Sequence, residues 1–343
     1  MIRCVGGLSK RIFWAGLQRA SLHNAIIVRC KENNDLFFTV NPALRRETLK
    51  FEPMSSSRET FPLELTRFVF RNAGGNGEIY AVIDAAKTLF LENILDTSGL
   101  PYRSLYLEEG MNEVAPHLVQ LDRDRRLTSR LFAFDPTEPD PRDLLDKEAS
   151  IIISSPLGLD ELWGKLRRYT MLPEETGVRR YFRFSETGML DVALSAAGTA
   201  AVEFFQDIEA IYWNEPSLDP PLWNLHRLAL NDGWQDRIGE RFMLDAGVRQ
   251  AMRHAMHRQK ARKRAIKELI PVAARRHLAA TLTRLMDAGF DEEFSTMSTW
   301  RLLSQLPAGE HETVWAKIES GKYSLAFINM TMAEKYNLEF ERP

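Results

Sequence analysis

Along the middle of the chain the hydrophobic positions switch between two periods, and the switches mark the elements. EIYAVID (78–84) is a nearly unbroken apolar run entered from a glycine-rich NAGGNG loop, which predicts a buried strand. RSLYL (103–107), PHLVQLD (116–122), SIIIS (150–154), YFRF (181–184) and IEAIYW (208–213) are further strand candidates. Helical spacing fills the gaps. Leu159, Leu162, Trp163, Leu166 and Tyr169 recur on one face, with Asp160 and Glu161 in the first turn and Arg167 and Arg168 near the last, complementing the macrodipole. Ser155 is placed to cap this helix with Pro156 at its first position, and Pro173 stops it. AAKTLFLENIL after Asp84 and TGMLDVALSAAGTAAVEFF predict two more helices.

From about residue 217 the pattern is mostly helical. Pro271 opens a helix with Leu278, Leu282, Leu285 and Met286 as one stripe and Gly289 placed at its C-terminus. TVWAKIE and SLAFINMTMAEKYNLEF predict two short helices beyond it. The expected fold class is therefore an α/β N-terminal lobe, a mixed sheet with flanking helices, followed by a mostly α-helical C-terminal lobe. Residues 1–53 look different: nine Lys or Arg against four Asp or Glu, both cysteines (Cys4 and Cys30), and no clear period. They read as a basic N-terminal extension, with Met54 a candidate true start and the extension dispensable. The domain boundaries are then 1–53, 54–216 and 217–343.

Composition narrows the compartment more than the activity. The 343 residues are 44% hydrophobic and 27% charged, ordinary for a globular chain, and the net charge of -2 gives no overall bias toward nucleic acid or anionic lipid. Two cysteines do not make a disulfide framework, no signal-peptide core forms near the N-terminus, and no run approaches the roughly 18 apolar residues of a membrane span. These features point to a reducing, cytoplasmic setting without membrane partners.

Most chemical motifs fail on spacing. GGNG (74–77) precedes its strand, whereas a phosphate cradle follows one, and no Walker motif or nucleophile elbow occurs. Asp84 ends a strand and begins a helix, where phosphatase-like folds keep a nucleophile, but the general-acid position two residues on is Ala86. An N-cap role suits Asp84 as well. A hydrolase using Asp84 with carboxylates such as Glu113 is the enzymatic alternative. His254 and His257 share a helical face but sit among cations, with no acidic or cysteine partner near in sequence. His311-Glu312 begins an HExxH pattern that Trp315 ends. No cofactor or metal is expected.

Residues 253–276 carry nine Lys or Arg and one acid, Glu268, a local +8 that leaves the rest of the chain at -10 of its total of -2. The run is a solvated face, a surface for an acidic partner, or the phosphate contact of a nucleic-acid-binding regulator. The absence of aromatics in it disfavours nucleic acid. As an exposed surface, Arg262, Lys263 and Arg264 would tolerate reversal to Glu with folding nearly untouched.

Three segments taken in order carry a resemblance: IYAVIDAA (79–86), LPYRSLYLEEGMNEVAPHLVQLD (100–122), and LDELWGKLRRY with RRYFRFSETGMLDVAL (159–194). Together they resemble the domain of unknown function that marks type VI secretion adaptors, or effector chaperones. The family usually continues its F-R-F strand with Tyr-Asp-Pro, where this chain has Ser185-Glu186-Thr187. The resemblance implies a cytoplasmic, non-catalytic protein that holds a toxic effector and loads it onto the VgrG spike, with effector and spike as its partners. Such work needs apolar anchors. Trp213, Trp223 and Trp234 around the proline-rich NEPSLDPPLWN junction are candidates, as are Arg262, Lys263 and Arg264 for effector choice.

Overall fold

The computed structural model describes residues 41–53, 63–70, 77–108, 111, 113–138, 140–186, 188–234, 240–268, 270–290 and 293–336. The basic stretch 1–40, residues 74–76 of the GGNG loop and Met54 lie outside them. Nine strands and eleven α-helices follow in chain order among the described residues. The first are β1 (Leu44–Phe51), α1 (Leu63–Val69), β2 (Glu78–Asp84), α2 (Leu91–Ser98), β3 (Tyr102–Ser104) and β4 (Pro116–Gln120). Next come α3 (Arg126–Arg130), β5 (Ser150–Ser155), α4 (Leu159–Arg167), β6 (Met171–Pro173), β7 (Arg179–Tyr181), α5 (Met189–Ala196) and α6 (Ala201–Phe205). Then β8 (Ala210–Pro216) and β9 (Trp223–Leu230) close the sheet, before α7 (Ala246–Lys267), α8 (Val272–Asp287), α9 (Glu293–Gln305), α10 (Ala308–Glu319) and α11 (Leu325–Tyr336).

Seven strands form one sheet in the order β1-β9-β8-β5-β2-β4-β3, and every ladder in it is antiparallel. The chain thus has an α/β region followed by helices, with an antiparallel sheet where a mixed one was expected. β2 and β5 are apolar on both faces because both faces are covered. Tyr80, Val82, Ile151 and Ile153 pack with α4, α5 and α6, while Ile79, Ala81, Ile83 and Ile152 pack with α1, α2 and α3. Such burial on both sides, usual for parallel sheets, explains the unbroken apolar runs.

The sheet extends beyond residues 54–216 at both ends. β1 lies inside the stretch read as an extension, yet Leu44 to Phe51 pair residue by residue with Leu230 to Trp223. Apart from Leu49, which packs on the core, its intervening side chains are polar, and they alternate between half-buried and exposed, as in a charged edge strand. Just before it, Asn41 donates to the carbonyls of Leu194 and Gly198 and accepts from the Ala43 N–H. β9 lies past the boundary at 216, in the stretch read as helical.

Several predicted helices begin or break elsewhere. α4 starts at Leu159, not after Ser155: the Glu161 carboxylate accepts the Gly158 N–H at 3.3 Å, while the Ser155 hydroxyl donates to the Asp207 carbonyl and accepts from Leu157. The segment after Asp84 splits into a 3₁₀ turn (Ala85–Lys87) and α2, because Phe90 between them adopts φ 57°. The long helix after Gly188 breaks at Gly198, φ 58°. By contrast α8 ends as expected. Gly289 (φ 94°) donates to Met286 and Phe290 to Leu285, the paired bonds of a Schellman cap, and Phe290 packs beside Leu285.

Two predictions follow from this packing. A chain beginning at Met54 lacks β1, with its ladder and the buried Leu44 and Phe51, each worth roughly 1.5–3 kcal/mol. It should melt about 10 °C or more below a chain beginning at Asn41; equal melting temperatures would show that β1 adds nothing. The second concerns Asp143, buried between α3 and β5 with neither carboxylate oxygen hydrogen-bonded. Burial, and then the nearby Asp140, raise its pKa to about 6. A carboxyl raised above its unfolded value opposes folding at neutral pH, and that penalty fades as pH falls from about 6 to about 4. Asp143→Asn should therefore stabilise the protein by about 1–3 kcal/mol at pH 7.5, with the advantage over wild type shrinking through that window in urea melts. A pH-independent difference would disprove the assignment.

Candidate functional site

Strand register gathers one set of loops at a single end of the sheet. Asp84, the last residue of β2, sits opposite Pro116 at the start of β4, and Ser104, the last of β3, lies opposite His117. The β2–α2 connection and the β3–β4 hairpin therefore leave the sheet side by side. The segment after β7 reaches the same end: the Tyr181 ring meets Tyr106 edge-on at 5.6 Å, Arg183 reaches Asp84 at 3.4 Å and Lys87 pairs with Glu186 at 3.6 Å.

Asp84 is the organising residue there. It is buried, its Oδ1 accepts the Ala86 N–H at 3.0 Å, and its Oδ2 faces the Arg183 guanidinium. The carboxylate is thus engaged on both oxygens, as a helix cap and an ion pair, which suits a structural role. Glu113, the other carboxylate of the enzymatic alternative, is exposed in the β3–β4 hairpin.

Above this polar base the loops present large apolar side chains to solvent. Leu89 is 79% and Phe90 76% exposed in the β2–α2 connection; Leu107 and Val114 are exposed in the β3–β4 hairpin, and Tyr181 beside them. Phe90 is unusual because left-handed backbone (φ 57°, ψ 33°) costs a bulky residue roughly 1–3 kcal/mol, and its side chain recovers nothing by burial. Strain that holds a hydrophobic group out in water marks a surface built for contact.

The residues expected to anchor partners lie elsewhere. Trp213 and Trp223 do not cluster, since they are buried on opposite faces of the sheet. Trp213 stacks on His226 at 5.2 Å in one core, and Trp223 meets Phe134 edge-on at 6.4 Å in the other. Trp234 is half-buried against the core that holds Trp213. The three tryptophans build the interior of the sheet region.

The basic run is mostly exposed, but the three cations expected to choose a partner all make contacts within the fold. Arg262 donates to the Glu215 carboxylate at 2.6 Å and the Pro216 carbonyl at 2.7 Å, Lys263 pairs with the buried Glu148 at 3.1 Å, and Arg264 lies 3.4 Å from the Thr296 hydroxyl. Burial would raise Glu215, but its hydrogen bond with His226 and the charge of Arg262 outweigh this and hold it below the usual carboxylate range. Arg249, Arg253, Met256, Lys260, Lys263 and Lys267 remain exposed at alternating spacings of four and three residues. His254 and His257 do have an acidic partner: both Nδ1 atoms bond the Asp287 carboxylate of α8, at 2.5 and 2.7 Å. Among the described residues no group of three or more His, Cys, Asp or Glu is placed to hold a metal ion, and no helix is long and apolar enough to cross a membrane.

Sequence reasoning missed Leu89 and Phe90 because KTLFLEN reads as part of one helix, where both would sit on an apolar stripe. Only the left-handed break at Phe90 turns them outward. The comparisons with known proteins bear on this segment. Residues 79–201, a little over a third of the chain, match the family described as a domain of unknown function (DUF4123), and the exposed loops just described fall within that match. No curated protein and no solved structure matches the chain.

The contacts of these three cations reverse one sequence expectation. Changing Arg262, Lys263 and Arg264 to Glu would bring negative charge against Glu215 and Glu148. The pairs are partly exposed, but the Glu148 carboxylate is buried and would be left facing a like charge, so the triple variant should be destabilised by more than about 1 kcal/mol in urea unfolding. Stability within about 0.5 kcal/mol of wild type would show these contacts to be incidental.

Proposed function

We propose that this protein is a non-catalytic adaptor that holds a type VI secretion effector and loads it onto the VgrG spike, acting in the cytoplasm. The observation that carries the reading is the apolar rim at the Asp84 end of the sheet. Leu89, Phe90, Leu107, Val114 and Tyr181 all lie within the matched segment, and an exposed, strained aromatic flanked by other apolar groups is what a protein interface needs at its centre. The resemblance of IYAVIDAA, the 100–122 segment and the 159–194 segment to effector-loading adaptors supplies the system. The double engagement of Asp84 supports a supporting role for the residue on which an enzymatic reading would depend. The rim belongs to the part of the chain shared with the family, so it suits the shared partner, the spike.

The test is three-way co-purification of the full chain with a VgrG spike protein and an effector from the same genome. A stable complex is expected. Leu89→Ser with Phe90→Ser should weaken spike binding at least tenfold, since burying such anchors typically contributes 1.5–3 kcal/mol each, and should leave melting within about 2 °C. Lack of complex with either partner, or undiminished spike binding by the double variant, would overturn the proposal.

A further inference from the structure

A second apolar surface lies outside the matched segment, on the hairpin of α10 and α11. The rings of Tyr323 and Phe327 stack at 5.3 Å, with planes 14° apart, and both are nearly half exposed, as is Met330 one turn on. Beside the pair runs an open groove of about 140 Å³ lined by Lys317, Tyr323, Phe327, Ile328, Thr331 and Met332. Its floor is core: Ile328 and Met332 are buried with Val314, Ile318 and Leu325. The volume is close to that of an apolar cavity of roughly 150 Å³ able to hold benzene, so it admits one side chain of leucine or phenylalanine size.

The charges around the groove indicate what enters it. All three carboxylates of α10 are near cations: Glu310 lies 3.4 Å from Lys335, and Glu312 and Glu319 lie 3.8 and 2.8 Å from Arg284. Lys317, in the groove wall, has no carboxylate within ion-pair distance among the described residues, and the exposed Lys322 adjoins Tyr323. Glu334, further along α11, places a negative charge toward the other end of the same face. The groove is therefore positive at the α10–α11 turn and negative beyond it, a polarity that orients a ligand of complementary charge.

We infer that this groove docks a segment of a partner protein that carries a leucine- or phenylalanine-sized anchor with an acidic residue beside it, the anchor seated against Phe327 and the carboxylate on Lys317. The inference rests on the adaptor reading only for the partner's identity: a site in helices outside the matched segment suits the variable partner, the effector. The groove itself is testable without either protein. A random 12-residue peptide library is panned on the immobilised full chain, and enriched peptides are measured by fluorescence anisotropy against wild type, Phe327→Ser, Lys317→Glu and the Leu89→Ser/Phe90→Ser variant. Enriched peptides should combine Leu, Phe or Trp with Asp or Glu, lose at least tenfold in affinity with Phe327→Ser and with Lys317→Glu, and bind the rim variant unchanged. Melting curves check the fold. If Phe327→Ser melts low, the exposed Lys317→Glu decides alone. No enrichment, basic peptides, or equal affinity for wild type and the groove variants would overturn the inference. So would a concentration-dependent dimer in sedimentation that Phe327→Ser abolishes, since the groove would then be filled by a second copy. Peptide binding as expected without a spike complex would sink the adaptor reading and leave the groove standing.

Discussion

The attachment of α7 to one end of the sheet depends on Glu148. Its side chain is buried just before β5, and its backbone adopts φ 46°, a conformation unfavourable for a non-glycine residue. Groups from two other elements meet it there. Lys263 and Gln259 of α7 reach its carboxylate at 3.1 and 2.9 Å, and Lys87, next to the Asp84 cap, reaches its carbonyl at 3.3 Å. A buried carboxylate without partners would be strongly unfavourable, so docking of the basic helix stabilises the position. That makes α7 part of the fold and not an appendage to it.

A second chain of contacts runs across the sheet and ends on the same helix. The Thr48 hydroxyl of β1 bonds His226 of β9 at 3.0 Å, His226 bonds Glu215 of β8 at 3.0 Å, and Glu215 bonds Arg262 of α7 at 2.6 Å. Trp213 stacks on the His226 ring in the middle of this relay. Partly buried polar networks gain from being fully satisfied and lose sharply when one member is removed. The outermost strand and the basic helix are therefore coupled through three side-chain contacts, although more than 200 residues separate Thr48 from Arg262 in the sequence.

This coupling also explains what the sequence could and could not disclose. β2 and β5 were legible because two apolar faces give an unbroken run, and α8 was legible because its stripe and its glycine cap agree. β1 was not, since LRRETLK carries the charges of an edge strand, whose Arg46 and Glu47 pair with Asp191 and Arg227 of elements far away in the chain. β9 contains a buried arginine, Arg227, whose guanidinium lies over the Tyr212 ring at 6.0 Å, and a charge in mid-strand hides the apolar pattern. The +8 run was visible as charge but not as geometry, because Glu148 and Glu215 lie far away in the chain. Tryptophans near prolines suggested a surface, yet neighbouring strands place Trp213 and Trp223 on opposite sheet faces.

Exposed apolar groups are more informative here than polar ones, because Arg262, Lys263 and Arg264, the cations expected to meet a partner, all make contacts within the fold. Among the described residues, six of the ten large hydrophobics that stand exposed are Leu89, Phe90, Leu107, Val114, Val178 and Tyr181, all inside the matched segment. Tyr323, Phe327 and Met330 lie on the last helical hairpin, outside it. The first group sits on loops whose positions are set by strand register and the Asp84 cap, so their exposure is anchored to the rigid part of the molecule. The second sits over a core of its own around Val314, Trp315 and Ile318, so side chains there can vary without disturbing the sheet. On the proposed adaptor reading, one interface has to stay constant while another changes. Two apolar surfaces on separate cores meet that requirement, because substitutions at distant sites with no shared contacts act nearly independently.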